Sequence, residues 1–73
     1  MGRLSGFSYR DVSRKLDVLG FVLHRQAKGS HEIWKHGEDG RYLTLPHHQT
    51  LKEGTLKAVL KQANVSVDEF LKA

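Results

Sequence analysis

Between two stretches of helical periodicity the chain places three strand-like runs, each stopped by a turn signal. That order excludes most architectures open to 73 residues. Phe21 to Ala27 starts apolar and runs into Lys28-Gly29-Ser30, a connection short enough for a hairpin with glycine at a positive-φ position. His31 to His36 is rich in strand formers and meets the second turn, Gly37-Glu38-Asp39-Gly40. Arg41 to Pro46 alternates, so Leu43 and Leu45 share one face while Tyr42 and Thr44 share the other. Pro46 has no N–H for a ladder and closes the run. Strands joined by such short turns pair antiparallel.

The flanks read as helices. Ser8 is placed to cap a helix running to about Gly20, with Asp11 three residues on as a capping-box-like partner. Tyr9, Val12, Leu16 and Leu19 form its apolar stripe, leaving Arg10, Arg14 and Lys15 to water or a ligand. The opening residues 1–7 read as a loose start. After Pro46, the segment from His47 to Gly54 reads as a polar loop leading into a helix over Thr55 to Asn64, with Leu56, Val59, Leu60 and Ala63 on one face. Asn64 is placed to cap its C-terminus. Ser66 and Glu69 then stand at capping-box spacing before a short last helix that turns Val67, Phe70 and Leu71 inward. The expected fold is therefore two-layer α+β, with helices on one face of a three-stranded antiparallel sheet and a single domain over residues 1–73. The order α-β-β-β-α plus a short C-terminal helix is also that of the double-stranded-RNA-binding domain. Fold likeness alone does not give function.

Composition narrows the chemistry. There is no cysteine, so neither disulfides nor thiolate metal sites support so small a core. This fits a reducing cytoplasm, the expected location, and no apolar run is long enough to suggest a membrane span. The net charge of +4 is unevenly placed. Residues 1–36 carry seven Lys/Arg against three Asp/Glu, whereas residues 37–73 carry five of each. The first helix and first hairpin could thus present a phosphate-attracting patch, or simply a solvated basic face.

Five histidines, His24, His31, His36, His47 and His48, raise the question of a metal. Their spacing contains no HxxxH or HExxH pattern, and the carboxylates are not clustered as a magnesium nuclease requires. No metal or other cofactor is expected. Acid–base cleavage of RNA needs less, because the 2′-OH beside the phosphate is the nucleophile. The protein must supply a base, an acid and positive charge for the phosphorane. His31 is the best placed imidazole, following a turn whose Gly29 admits a close backbone, with Ser30 and Lys28 able to reach the same phosphate. Arg25 and Gln26 come from the paired strand. A lone histidine ending a surface hairpin is the plainer alternative. Trp34 and Tyr42, on neighbouring strands, could stack bases; Trp34 could equally be core. Ile33 and Trp34 cannot both face the helices.

The stretch from Gly6 to Phe70 resembles the HicA (YcfA-like) toxin family across nearly its whole length. "LGF" joins the first helix to the first strand, "RQAKGSHEIW" contains the family's Gly-Ser-His turn, and a strand ending in "LPHH" precedes "KEGTLKAVLKQANVSVDEFL". The resemblance implies the toxin of a bacterial or archaeal toxin–antitoxin pair, a metal-independent mRNA endonuclease bound and blocked by a HicB-like antitoxin. It implies that His31 is the catalytic residue and that Gly29 and Ser30 are turn residues of the same motif. His48 stands at the family histidine after the proline, while His47 replaces a residue that is often arginine. Arg25, Lys28, Gly29, Ser30 and His48 are the expected RNA- and phosphate-binding residues, and His24 and His48 the candidates for a second proton carrier. Two other readings remain: a non-catalytic RNA-binding module, and a protein whose main role is pairing with its antitoxin.

Overall fold

The chain runs α1 (Tyr9–Val18), β1 (Phe21–Gln26), β2 (His31–His36), β3 (Tyr42–Pro46), α2 (Glu53–Gln62) and α3 (Val67–Lys72). The structure, a computed structural model, describes residues 2–73. The strands make one antiparallel sheet in the order β1-β2-β3. The two-layer α+β architecture expected from the sequence is the one the chain adopts.

Local chemistry explains where the elements start and stop. The Ser8 hydroxyl accepts the Asp11 N–H at 3.0 Å, which begins α1. Gly20 follows in the left-handed region at φ +97°, and turns the chain into β1. Ser66 and Glu69 form the reciprocal capping box that starts α3. At the end of α2, Asn64 takes φ +56°, and Arg41 Nη1 donates to the carbonyls of Ala63 and Asn64 at 3.1 and 3.2 Å. Arg41 Nε also donates to Asp39 at 2.8 Å, so one guanidinium joins the β2–β3 turn to the helix end.

The core lies between the sheet and the helices. Val12 and Leu16 from α1, Leu56, Val59 and Leu60 from α2 and Phe70 from α3 pack with Phe21, Trp34, Leu43 and Leu45 of the sheet. The choice between Ile33 and Trp34 falls to the indole, which is 7% exposed. Its neighbour in register is Leu43, whereas Tyr42 pairs with Lys35 and is 52% exposed on the opposite face. Trp34 and Tyr42 therefore do not form a common base-stacking platform. Burying the larger side chain removes more apolar area from water, and its N–H has a buried acceptor.

Other expectations are corrected by packing. The loose start holds Leu4, which is buried, and Phe7, packed edge-on against Phe70; Met1 lies outside the described residues. The expected polar loop carries buried Leu51, and its last residues already belong to α2, which begins at Glu53. Lys15 does not simply face water: Nζ reaches the carbonyls of Leu71 and Ala73 at 3.4 and 2.9 Å and lies over Phe70, closing α3 onto α1.

Two left-handed glycines make a test of this packing. A Cβ at Gly20 would lie 2.7 Å from Nε2 of His36, while one at Gly29 would meet nothing within 4 Å. Both changes to alanine incur the left-handed backbone cost, about 1–2 kcal/mol; only Gly20→Ala adds a steric one. Urea unfolding should rank Gly20→Ala as the less stable variant, and equal losses would contradict the packing of His36 beneath the α1–β1 turn.

Candidate active site

The site grows from the way the β2–β3 ladder ends. Gly29, at φ +70°, turns the chain so that Ser30 ends the turn and His31 begins β2. His31 stands opposite Pro46 in register. That pair is a non-hydrogen-bonded one, and the ladder bond belongs to the pair after it: His47 donates its backbone N–H to the Ser30 carbonyl at 2.8 Å. The following segment is held as well: Tyr9 N–H donates to Gln49 O at 3.0 Å, and Leu51 N–H to Phe7 O at 2.9 Å. Residues far apart in sequence, Ser30-His31 and His47-His48, are thereby fixed side by side.

His31 is exposed, and its Nδ1 contacts the Lys28 carbonyl at 3.3 Å. A carbonyl only accepts, so Nδ1 carries a proton, and in the neutral tautomer the lone pair is then on Nε2. The Ser30 hydroxyl lies 3.2 Å from Nε2 of His48. Beside His31 opens a groove of about 460 Å³ bounded by Thr44 and Pro46 of β3 and by Gly54, Thr55, Ala58 and Gln62 of α2. The small side chains on this face of the helix leave it open, and Gln62 Oε1 accepts the Thr44 N–H at 2.9 Å, fixing α2 along the β3 edge.

The remaining expected residues spread around this centre. Arg25 is exposed and pairs with Ile33, which by strand alternation shares a face with His31. Lys28 is exposed in the turn itself. His24 occupies the irregularity where β1 shifts register between Leu23 and Arg25. His36 has a structural setting: Nδ1 accepts the N–H groups of Glu38 and Asp39 at 3.2 and 3.3 Å, and the ring packs edge-on against Phe21. Among the described residues no group of three or more His, Cys, Asp or Glu is arranged to hold a metal ion.

Sequence reasoning missed Glu32. It is 3% exposed, inside β2 and on the helix-facing side with Trp34. Its carboxylate accepts from Tyr9 Oη at 2.7 Å, Trp34 Nε1 at 3.1 Å and His47 Nδ1 at 3.1 Å. The His47 ring stacks on Tyr9 with centroids 3.8 Å apart and planes 12° from parallel. Glu32 and Trp34, two apart in one strand, must share a face; once the indole is inside, the carboxylate is too, and it then requires donors. That pattern was the available signal.

Burial first, and then the Glu32 carboxylate, push the Tyr9 hydroxyl up to about 12, so it remains a donor through the neutral range. A pKa raised on folding adds stability that is complete below the unfolded value, near 10, and is lost as pH rises towards 12. Tyr9→Phe should lower unfolding free energy by about 1–2 kcal/mol at pH 8. The wild-type advantage should shrink between pH 10 and 12; a constant difference across that window would show that the hydroxyl is not held by Glu32.

No curated protein matches the chain. A family described as HicA toxin of bacterial toxin-antitoxin matches residues 9–65, from the first residue of α1 to just beyond the C-terminus of α2. The matched span contains the Gly-Ser-His turn, the strand ending at Pro46, both following histidines and Glu32. The chain belongs to the HicA toxin family of bacterial toxin–antitoxin systems.

Proposed function

We propose that the chain is a metal-independent mRNA endoribonuclease whose site is the Ser30-His31 turn together with His48. The observation that carries this reading is that His31 lines an open groove while the residue before it in the turn, Ser30, holds a second imidazole, His48, at 3.2 Å. His31 Nε2, free while Nδ1 is engaged by Lys28 O, takes the proton of the 2′-OH. The 2′-oxygen then bonds to phosphorus as the P–O5′ bond breaks, leaving a 2′,3′-cyclic phosphate. His48, positioned by Ser30, returns a proton to the departing 5′-oxygen. Which imidazole is base and which acid can exchange without changing the balance. His48 is preferred to His24 because it contacts the same turn, while His24 sits in the β1 irregularity.

Positive charge for the phosphorane comes from Lys28 and Arg25, the first in the turn and the second on the His31 face of the sheet. The partner is a HicB-like antitoxin that would block cleavage by covering the open groove. No helix of the described residues is long and apolar enough to cross a membrane. An RNA-binding module without catalysis would use the same groove and cations but would not need the His31–Ser30–His48 arrangement.

The test is cleavage of a long single-stranded RNA by purified protein in excess EDTA. His31→Ala should lose about 10²–10⁴ of the rate, the range for one general acid–base group, and His48→Ala should also lose rate. With both imidazoles working, the wild-type pH–rate profile is bell-shaped. Binding without cleavage by folded wild-type protein would favour the RNA-binding module instead.

A further inference from the structure

The stacked pair Tyr9–His47 is not used by the reaction above, yet it is built more rigidly than a surface histidine needs. One face of the imidazole rests on Tyr9, and Nδ1 is held by the buried Glu32 carboxylate. The other face is open: the His47 side chain is 52% exposed. It borders a second groove, of about 500 Å³, lined by Ser8, Tyr9, Arg10, His47 and Gln49. Arg10 is exposed there at the first turn of α1. An aromatic ring backed by another ring, in a groove that an arginine also lines, suits an unpaired nucleotide. The base gains a stacking surface and the phosphate a cation.

Position relative to the cleavage site gives this groove its meaning. His47 and His48 are consecutive, with His48 contacting Ser30 Oγ and the backbone of His47 bonded to Ser30 O. A single-stranded RNA whose phosphate lies at His31 and His48 would carry a neighbouring nucleotide past this bend towards Tyr9, His47 and Arg10. The geometry points to a nucleotide subsite in the Tyr9–His47–Arg10 groove, which holds an unpaired base of the substrate RNA by stacking on His47 and its phosphate on Arg10. This rests on the ribonuclease reading. The subsite selects unpaired over paired RNA, because only an unstacked base can reach the ring, and it discriminates little among bases.

The experiment is equilibrium binding of a fluorescein-labelled, fully 2′-O-methylated single-stranded oligonucleotide, which cannot be cleaved, followed by anisotropy over a range of salt. Arg10→Ala, His47→Ala and His47→Phe are compared with Lys57→Ala, an exposed charge removal elsewhere on α2. His47→Ala should weaken binding about tenfold, and His47→Phe, which keeps a ring, should recover most of the loss. Arg10→Ala should weaken binding and reduce the salt slope by about one phosphate contact. Lys57→Ala should change affinity less than twofold. Thermal melting establishes that each variant is folded. Arg10 lies outside the Glu32 network, so its variant tests the groove even where changes at His47 unsettle the fold. If wild-type protein cleaves RNA while Arg10→Ala binds as tightly as Lys57→Ala, the subsite is wrong and the ribonuclease reading stands. If wild-type protein neither binds nor cleaves RNA, both fall together.

Discussion

The carboxylate of Glu32 is the constraint on which this small structure turns. A buried carboxylate without donors costs several kcal/mol, and a domain of this length has roughly 4–11 kcal/mol of total stability to set against it. Its three donors come from three segments: Tyr9 at the start of α1, Trp34 on β2 itself, and His47 just past β3. Satisfying the charge therefore fixes how the first helix and the post-strand segment sit against the central strand. It also fixes register, because a slip of β2 by one residue would carry Glu32 and Trp34 to the outer face together.

The same interaction separates two neighbouring histidines into two surroundings. His47 is drawn inward to Glu32 and flat onto Tyr9, while His48 turns to Ser30 beside His31. Strands place successive side chains on opposite sides, and the ladder bond from His47 N–H to Ser30 O carries that alternation past Pro46. Under the proposed ribonuclease reading the site would need little machinery of its own, since RNA contains its nucleophile and the protein would only move protons and stabilise charge. That economy suits a toxin domain with a single small core.

Much of the fold was legible because its signals are local. The caps at Ser8 and Ser66 are satisfied within three residues, and the left-handed turns at Gly20 and Gly29 follow from the absence of a Cβ. The apolar stripe of α2, Leu56 to Ala63, is buried as its spacing predicts. Illegible were the contacts made across the chain. Leu4, Leu51 and Lys15 look like loop or surface residues until the fold buries both leucines and brings Lys15 to the carbonyls at the end of α3. The Ile33–Trp34 ambiguity was of this kind too: a period of two names two faces but not which one the helices cover.

The candidate site divides along the same line. The amino-acid sequence by itself determined the turn, the histidine after it, the strand-ending proline and the order of elements, because each depends on residues within one turn or one strand. Only the tertiary structure decided that Ser30 meets His48, that His47 belongs to Glu32 and Tyr9, and that Trp34 is core while Tyr42 is exposed. Those outcomes depend on which face of the sheet is buried and on which donors the buried Glu32 carboxylate draws to itself. Both are settled by hydrogen-bond and burial demands summed over segments that meet only when the chain folds.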